Sequence, residues 1–324
     1  MPRLIPSPEL EARLSPRVRY SPSRMLTFLK CPAYFEFRYL ETQTEEPKAV
    51  NLFLGSAVHK ICEMAYEEKI KSGKLPPVEL MLAAHEEIWK HASDEVAEQF
   101  TGDLAKFEML SRKMIQTYLT DRAPYVDPIE VESEWYYEPP DKEYYIHGII
   151  DIIAAVKSTK PIILKAGNKE LAEKDLLHVF KQEPDNPLVK TAADKGIIYY
   201  KPTDSVRLRR VHDIKTVGRT PSRVPIGDGY SISPDYEFQL AWYGLMLTEG
   251  KHGIDVCLDY ITKTAAPKCL EAADNVSKAR CNSLLKTIDL IHTAVGTGIF
   301  YPNRMSKFCG HGCDFWQKCH EKHG

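Results

Sequence analysis

From Gly55 to about Arg122, apolar residues recur at helical spacing with few breakers: Val58, Ile61, Cys62 and Ala65, then Leu80 to Ile88, then Leu104 to Tyr118. Residues that return to one side every three or four positions build a face that needs covering, so the stretch over about 55–123 reads as a helical block. At Ile129 the pattern changes. Glu130 to Tyr137 alternates in part, Pro139-Pro140-Asp141 breaks the chain, and Tyr144 to Val156 is dense in isoleucine and valine, which predicts a β-hairpin. Val206 to Thr216 is the next predicted strand. Pro234-Asp235 opens a helix to about Thr248, Ile254 to Ile261 is a further strand, and Asn275 to Val295 is a last helix. Between the hairpin and Val206, residues 157–201 are charged and turn-rich without a period, the signature of an insertion expected to lie outside the central sheet.

The first twenty residues hold four prolines and no period, so 1–20 read as an extended arm, and 21–324 as one domain. Ser21-Pro22-Ser23 is a helix-start signal before Arg24 to Lys30. Cys31-Pro32 interrupts that helix, because proline disfavours helical geometry in the residue before it, and Tyr34 to Leu40 resumes it. Strands mixed with helices predict an α/β fold with a helical N-terminal part.

Composition narrows the classes. A chain of 324 residues, 43% hydrophobic and 27% charged, is long enough to bury roughly three-quarters of its unfolded surface. A net charge of -2 excludes a uniformly basic nucleic-acid coat, and a mean hydropathy of -0.35 with no apolar run near membrane length predicts no membrane span. Met1 to Arg24 lacks the apolar core of a secretory signal, so a cytoplasmic location is expected. Of eight cysteines, Cys309, Cys313 and Cys319 form a tight group, with Cys31 far upstream. In a reducing compartment such a group binds metal more readily than it forms disulfides.

Candidate chemistry lies on the strands. Asp213-Ile214-Lys215 sits at a strand end, where alternation sends the Asp213 carboxylate and the Lys215 ammonium to one face. Gly148-Ile149-Ile150-Asp151 sets a second acid in an otherwise apolar strand, where an ionised carboxylate is costly unless it is paired or bound to metal. If the strands are neighbours, the two acids converge on one hard cation, Mg2+ or Mn2+. His59 follows Gly55-Ser56-Ala57-Val58, a small-residue entry to a helix, and Gln239 and Tyr243, four apart, share a helix face. Taken singly, each has a plainer reading as a solvated strand end, a packed histidine or the polar edge of a helix. Arg207, Arg209, Arg210, Arg219 and Arg223 cluster around Asp213, a local basic patch suited to backbone phosphates.

Together, His59 in Gly-Ser-Ala-Val-His, Asp151 in Gly-Ile-Ile-Asp, Asp213 and Lys215 in Asp-Ile-Lys-Thr, and Gln239-x-x-x-Tyr243 resemble, in order, the RecB-like nucleases of the PD-(D/E)XK superfamily. The resemblance implies a restriction-endonuclease-like mixed sheet core flanked by helices. It also implies a metal held by His59, Asp151, Asp213 and the carbonyl of Ile214, with Lys215 orienting water or stabilising charge and Gln239 and Tyr243 positioning the strand. Cys31 with Cys309-x3-Cys313-x5-Cys319 looks like the iron-sulfur staple of the AddB nuclease domain and the CRISPR-associated RecB-like exonucleases. By that likeness residues 301–324 are a 4Fe-4S tail, although the usual tail spacing is C-x2-C-x5-C, one residue shorter between the first two cysteines, and His311, His320 and His323 keep zinc as an alternative. Cys62, Cys257, Cys269 and Cys281 read as small buried hydrophobes. The implied activity is a metal-dependent DNA nuclease, an exonuclease on single strands or DNA ends. The alternative is a non-catalytic DNA-binding subunit of a recombination or DNA-processing complex.

Overall fold

A computed structural model describes residues 17–41, 50–97, 103–157, 162–165, 197–200, 207–223, 230–306, 309–310 and 312–324. Residues 1–16 of the expected arm lie outside these, as does most of the expected insertion. The elements in chain order are β1 (Val18–Tyr20), α1 (Pro22–Lys30), α2 (Pro32–Glu36) running into a π-helical turn (Phe37–Glu41), α3 (Val50–Ser72), α4 (Val78–Ala97) and α5 (Leu104–Asp121). There follow β2 (Asp127–Tyr137), β3 (Tyr144–Lys157), β4 (Ile162–Lys165), β5 (Ile197–Tyr200), β6 (Arg207–Val217), α6 (Pro234–Thr248), β7 (Ile254–Thr262), β8 (Cys269–Val276), α7 (Lys278–Gly296) and α8 (Trp316–His323).

The chain forms two compact units, one from 1–154 and 210–324 and the other from 155–209. In the smaller unit, β4 and β5 pair antiparallel, Ile162 opposite Tyr200. The larger unit is built on a six-stranded sheet ordered β1-β3-β6-β7-β8, with β2 also paired to β3. β7 runs parallel to β6 and antiparallel to β8, so the sheet is mixed. One face buries Ile146, Ile150, Val211 and Leu258 against Met25 and Phe28 of α1, Trp242 of α6, and Leu284 and Ile288 of α7. The other buries Ile152, Ile214 and Ile261 against Leu54, Val58 and Ile61 of α3, Met81 of α4 and Met114 and Tyr118 of α5. This three-layer arrangement satisfies the expectation of a mixed sheet flanked by helices. Among the described residues no helix is long and apolar enough to cross a membrane.

Several local readings need correction. The end of the supposed arm is a sheet strand: β1 runs parallel to β3, anchored by Tyr20, whose ring packs on Tyr144 at 5.5 Å and whose hydroxyl is 2.9 Å from His292 Nδ1. Helix α3 begins already at Val50, so Gly55 lies inside it and not at its entry; an added Cβ there would meet Thr216 Oγ1 of β6 at 3.5 Å. Residues Cys269–Val276 form strand β8, and the last long helix starts only at Lys278, where Ser277 caps it by accepting from the Arg280 amide. Cys62, Cys257 and Cys281 are buried, while Cys269 is only partly so.

The helical block also holds a buried titratable contact. His85 of α4 and Ser111 of α5 have no exposure, and His85 Nε2 lies 2.6 Å from Ser111 Oγ. Burial, and then the Arg112 charge, push the His85 pKa down to about 4. A depressed folded pKa contributes stability that is complete above the unfolded value, near 6.5, and is lost as pH falls toward 4. Urea unfolding should therefore show wild type losing about 2 kcal/mol more than His85→Gln between pH 7 and pH 5. Equal losses in the two proteins would contradict the assignment.

Candidate active site

Strands β3 and β6 are neighbours, and each delivers one carboxylate to the same edge. Asp151 Oδ2 accepts the Ile214 backbone amide at 2.8 Å, so a β3 side chain is fixed to β6 backbone. Asp213 has no exposure at all. Its Oδ1 accepts from Gln239 Nε2 at 3.2 Å and from the Tyr243 hydroxyl at 3.3 Å. Gln239 Nε2 also donates to the Tyr243 hydroxyl at 2.5 Å, as residues one helical turn apart on α6 can. Lys215 Nζ stands 2.7 Å from Asp213 Oδ2 in ion-pair contact, and no other donor among the described residues bonds to that buried oxygen. From the α3 side, His59 Nδ1 comes within 3.4 Å of Asp151 Oδ2. The packing of Gly55 on Thr216 holds this helix close to β6, one turn before His59.

Helix α6 reaches the strand edge because two glycines clear its path. At Gly148 an added Cβ would lie 2.9 Å from Met246 Cε, and at Gly244 it would lie 2.7 Å from Val276 Cγ1 of β8. With both side chains absent, Trp242 is fully buried and its indole donates to the His147 carbonyl at 3.1 Å. That bond fastens α6 across β3, and Gln239 and Tyr243 project from the same helix onto Asp213.

The electrostatics are those of a crowded anionic centre. Burial pushes the Asp213 carboxyl up to about 6; Asp151 adds to the rise, and Lys215 opposes it. For Lys215, burial works against the ammonium, but Asp213 and then Asp151 outweigh it and raise its pKa. Lys215 therefore stays charged. Tyr243 is held far above its ordinary pKa by burial and the two carboxylates, so it remains a donor.

The structure also brings in Glu132, which the sequence reading passed over. Its carboxylate, the Asp151 carboxylate and the His59 imidazole offer ligand atoms all within 4.8 Å of one another. Burial, followed by Asp151 and Glu63, pushes Glu132 up to about 7. Glu130, Glu132 and Glu134 alternate along β2, so no local pattern sets Glu132 apart. The one signal that separates Glu132 is a left-handed backbone, φ 42°, which sequence does not display. A histidine and three carboxylates fit a divalent cation.

A second group of potential ligands, His212, Cys257 and Asp259, lies buried on the other sheet face. Arg122 Nε lies 2.7 Å from Asp259 Oδ1 and Arg122 Nη1 2.8 Å from Glu271 Oε2. His212 Nδ1 is 3.1 Å from Asp259 Oδ2, and the Tyr118 hydroxyl donates to that oxygen at 3.3 Å. A guanidinium already neutralises the carboxylate, so this cluster ties helices to sheet and has no charge left for a cation.

The basic residues separate by strand alternation. Arg210 shares the face of His212 and pairs with Glu271 at 3.0 Å, away from Asp213, which corrects its place in the patch. Arg219 and Arg223 are exposed, Arg223 lying over the Tyr230 ring, and Arg209 is partly buried. The side chain of Arg207 lies outside the described residues. Beside the site lies a solvent-open cleft lined by Arg19, Ser21, Leu26, His147 and Ile149 and ending on Gln239 and Tyr243.

At the far end of the chain, Cys31, Cys309, Cys313 and Cys319 line one cavity. The Ala33 amide donates to the Tyr301 carbonyl at 3.1 Å, and the Asn303 amide donates to Cys31 Sγ at 3.4 Å, so the tail is bound to the start of the fold. His320 packs on Trp316 and His323 on Phe37, while His311 lies outside the described residues.

The family model described as the PD-(D/E)XK nuclease superfamily matches residues 19–180. No curated protein matches the chain. Among solved structures, the fold is similar to that of a protein named "Putative exonuclease" from Eubacterium rectale, at a TM-score of 0.50 and 14% identity over 98% of this chain and 93% of that one.

The raised acids would set the pH dependence of any cation bound here. Asp213 at about 6 and Glu132 at about 7 must lose their protons before they can ligate. Calorimetric Mn2+ titrations should give affinity that is flat above about pH 8 and falls below pH 7, by up to about tenfold per pH unit for each proton displaced. Asp213→Asn should bind more weakly and with a shallower slope. Affinity independent of pH between 5 and 8 would contradict the assignment.

Proposed function

The chain belongs to the PD-(D/E)XK nuclease superfamily, and on that premise we propose that it is a divalent-metal-dependent deoxyribonuclease of the RecB-like type, an exonuclease acting on single strands or DNA ends. The observation that carries this reading is the convergence of Asp151, Asp213 and Lys215 on one edge, with Gln239 and Tyr243 bonded to the same buried carboxylate. The order of these motifs, with His59 before them, supports the RecB-like assignment.

In this reading Asp151, Asp213, His59 and the carbonyl of Ile214 hold Mg2+ or Mn2+. When bound, the cation supplies Lewis acidity toward the phosphodiester and lowers the pKa of a water. Lys215 keeps its ammonium at the carboxylate edge, where it orients the attacking water and offsets the negative charge that grows on phosphorus-bound oxygen. Gln239 and Tyr243 fix the Asp213 rotamer through Oδ1, so that Oδ2, beside Lys215, is the oxygen that would ligate. Burial of Asp213 excludes competing water, so each charge acts in a medium that screens it weakly.

The cleft beside the site supports a single-stranded substrate. Ile149 is 47% exposed on its wall, an apolar surface for a base or sugar, and Arg19 supplies a cation for a phosphate. Exposed Arg219 and Arg223 add sequence-independent phosphate contacts. The four-cysteine cavity supports a 4Fe-4S cluster over zinc, since four cysteines line it and the described tail histidines pack on aromatic rings.

Labelled single- and double-stranded DNA incubated with Mg2+, Mn2+ or EDTA tests the activity. Wild type should degrade DNA only with metal, while Asp151→Ala and Lys215→Ala should each be slower by about 10² or more and still bind DNA. A folded, DNA-binding wild type without cleavage would favour the non-catalytic subunit, and wild-type rates in either variant would sink the site.

The cluster has its own readout. Protein purified without oxygen should be brown with broad visible absorbance, and Cys31→Ala or Cys319→Ala should be colourless. Colourless wild type carrying one zinc per chain would replace the cluster with a zinc site.

A further inference from the structure

Arg19 lines the cleft beside the active site and is exposed, yet both its ends are held. Its backbone lies in β1 opposite Tyr145 of β3, and its carbonyl accepts from Arg24 Nη1 at 2.9 Å. At the tip of the side chain, Nη2 lies 2.8 Å from His147 Nδ1. A guanidinium only donates, so Nδ1 carries no proton here and the imidazole is neutral, with its proton on Nε2. That nitrogen is 2.6 Å from Glu134 Oε1, to which it donates. The histidine is 4% exposed, and the Tyr136 ring packs on it at 4.9 Å. Burial pushes its pKa down; the Glu134 bond opposes this and the Arg19 charge adds to it.

The choice of partner decides what Arg19 has left to offer. Arg17, Arg122, Arg210 and Arg280 each stand against a carboxylate, whereas among the described residues no carboxylate pairs with Arg19. A neutral acceptor fixes a guanidinium without cancelling its charge, and fixing it beforehand removes the ordering entropy that a free arginine loses on binding. Nη1 and Nε keep their hydrogens for a further acceptor. His147 stands four residues before Asp151 on β3, about 13 Å along the strand, and the cleft ends on Gln239 and Tyr243, which bond to Asp213. A phosphate at Arg19 is therefore a neighbour of the one being cut, not the same one.

We propose that Arg19 anchors a backbone phosphate of the substrate strand flanking the scissile one, and that His147 and Glu134 are positioning residues that hold its guanidinium toward the cleft with its charge intact. This rests on the nuclease reading and adds to it the side chains that set the strand in register with the carboxylate edge.

Fluorescence anisotropy of labelled single-stranded DNA in EDTA, repeated across a salt series, tests this without cleavage. Arg19→Ala should bind about tenfold more weakly, with a log affinity against log salt slope shallower by about 0.7, one phosphate contact on a single strand. His147→Leu, which fills the buried site with an apolar side chain, should lose a similar factor while melting as a folded protein. The double variant should be no weaker than Arg19→Ala alone, because both changes remove one contact. His147→Gln, which can accept from the guanidinium and donate to Glu134, should recover most of the affinity. Unchanged affinity and slope in Arg19→Ala, additive losses in the double variant, or a loss confined to strands carrying a terminal phosphate would overturn the proposal and leave the nuclease reading intact. A folded wild type that binds neither single- nor double-stranded DNA would overturn that reading as well.

Discussion

Asp213 carries a carboxylate to a place that water does not reach, and much of the larger unit is arranged around making that tolerable. An uncompensated buried charge costs several kcal/mol. Here the compensation comes from three directions: Lys215 on the same strand at 2.7 Å, and Gln239 and Tyr243 from a helix crossing the sheet. The crossing demands bare backbone at Gly148 and Gly244, and the Trp242 indole bonded to the His147 carbonyl fixes its height. The glycine of Gly-Ile-Ile-Asp thus serves the next strand's acid as much as its own. Oδ2, which among the described residues meets only Lys215, is the atom that a metal ion would take.

The opposite face of the sheet solves a similar problem in a different way. Asp259 is buried against Arg122, His212 and Tyr118, and Glu271 joins Arg122 to Arg210. Tyr66 of α3 donates to the Tyr118 hydroxyl at 3.0 Å, which extends the chain of contacts from sheet to helix. Here the Arg122 guanidinium fills the role that the Lys215 ammonium fills at Asp213. The result is a strut between helical block and sheet, and it fixes the helix that presents His59 to Asp151. Two buried aspartates on neighbouring strands of one sheet thus each meet a cation of the chain, one reaching across from a distant helix end and the other from two residues along the same strand.

The parts of this design that were legible in the sequence are those with a local signal. Helix α6 starts at Pro234 and ends at Thr248, where proline and apolar spacing placed it, and the acid-containing strands stood out because Asp151 interrupts an apolar run and Asp213-Ile214-Lys215 pairs an acid with a lysine at a strand end. Strand β8 escaped because Cys-Leu-Glu-Ala-Ala-Asp-Asn-Val is mostly half-exposed and lacks the density of an interior strand. Strand β1 escaped because three residues carry no period, and only the burial of Tyr20 reveals them. Glu132 was hidden among alternating glutamates. Asp259 gave no sign of its role because Arg122 lies more than a hundred positions away, beyond the reach of any local pattern.

Anomalous diffraction at the manganese edge, from crystals grown with Mn2+, tests the central claim most directly. The account predicts strong density at the β3–β6 edge, with ligand distances to Asp151, Asp213 and His59 and with Lys215 beside it. Density confined to the His212, Cys257 and Asp259 cluster, or none at the Asp213 edge at saturating Mn2+, would contradict it.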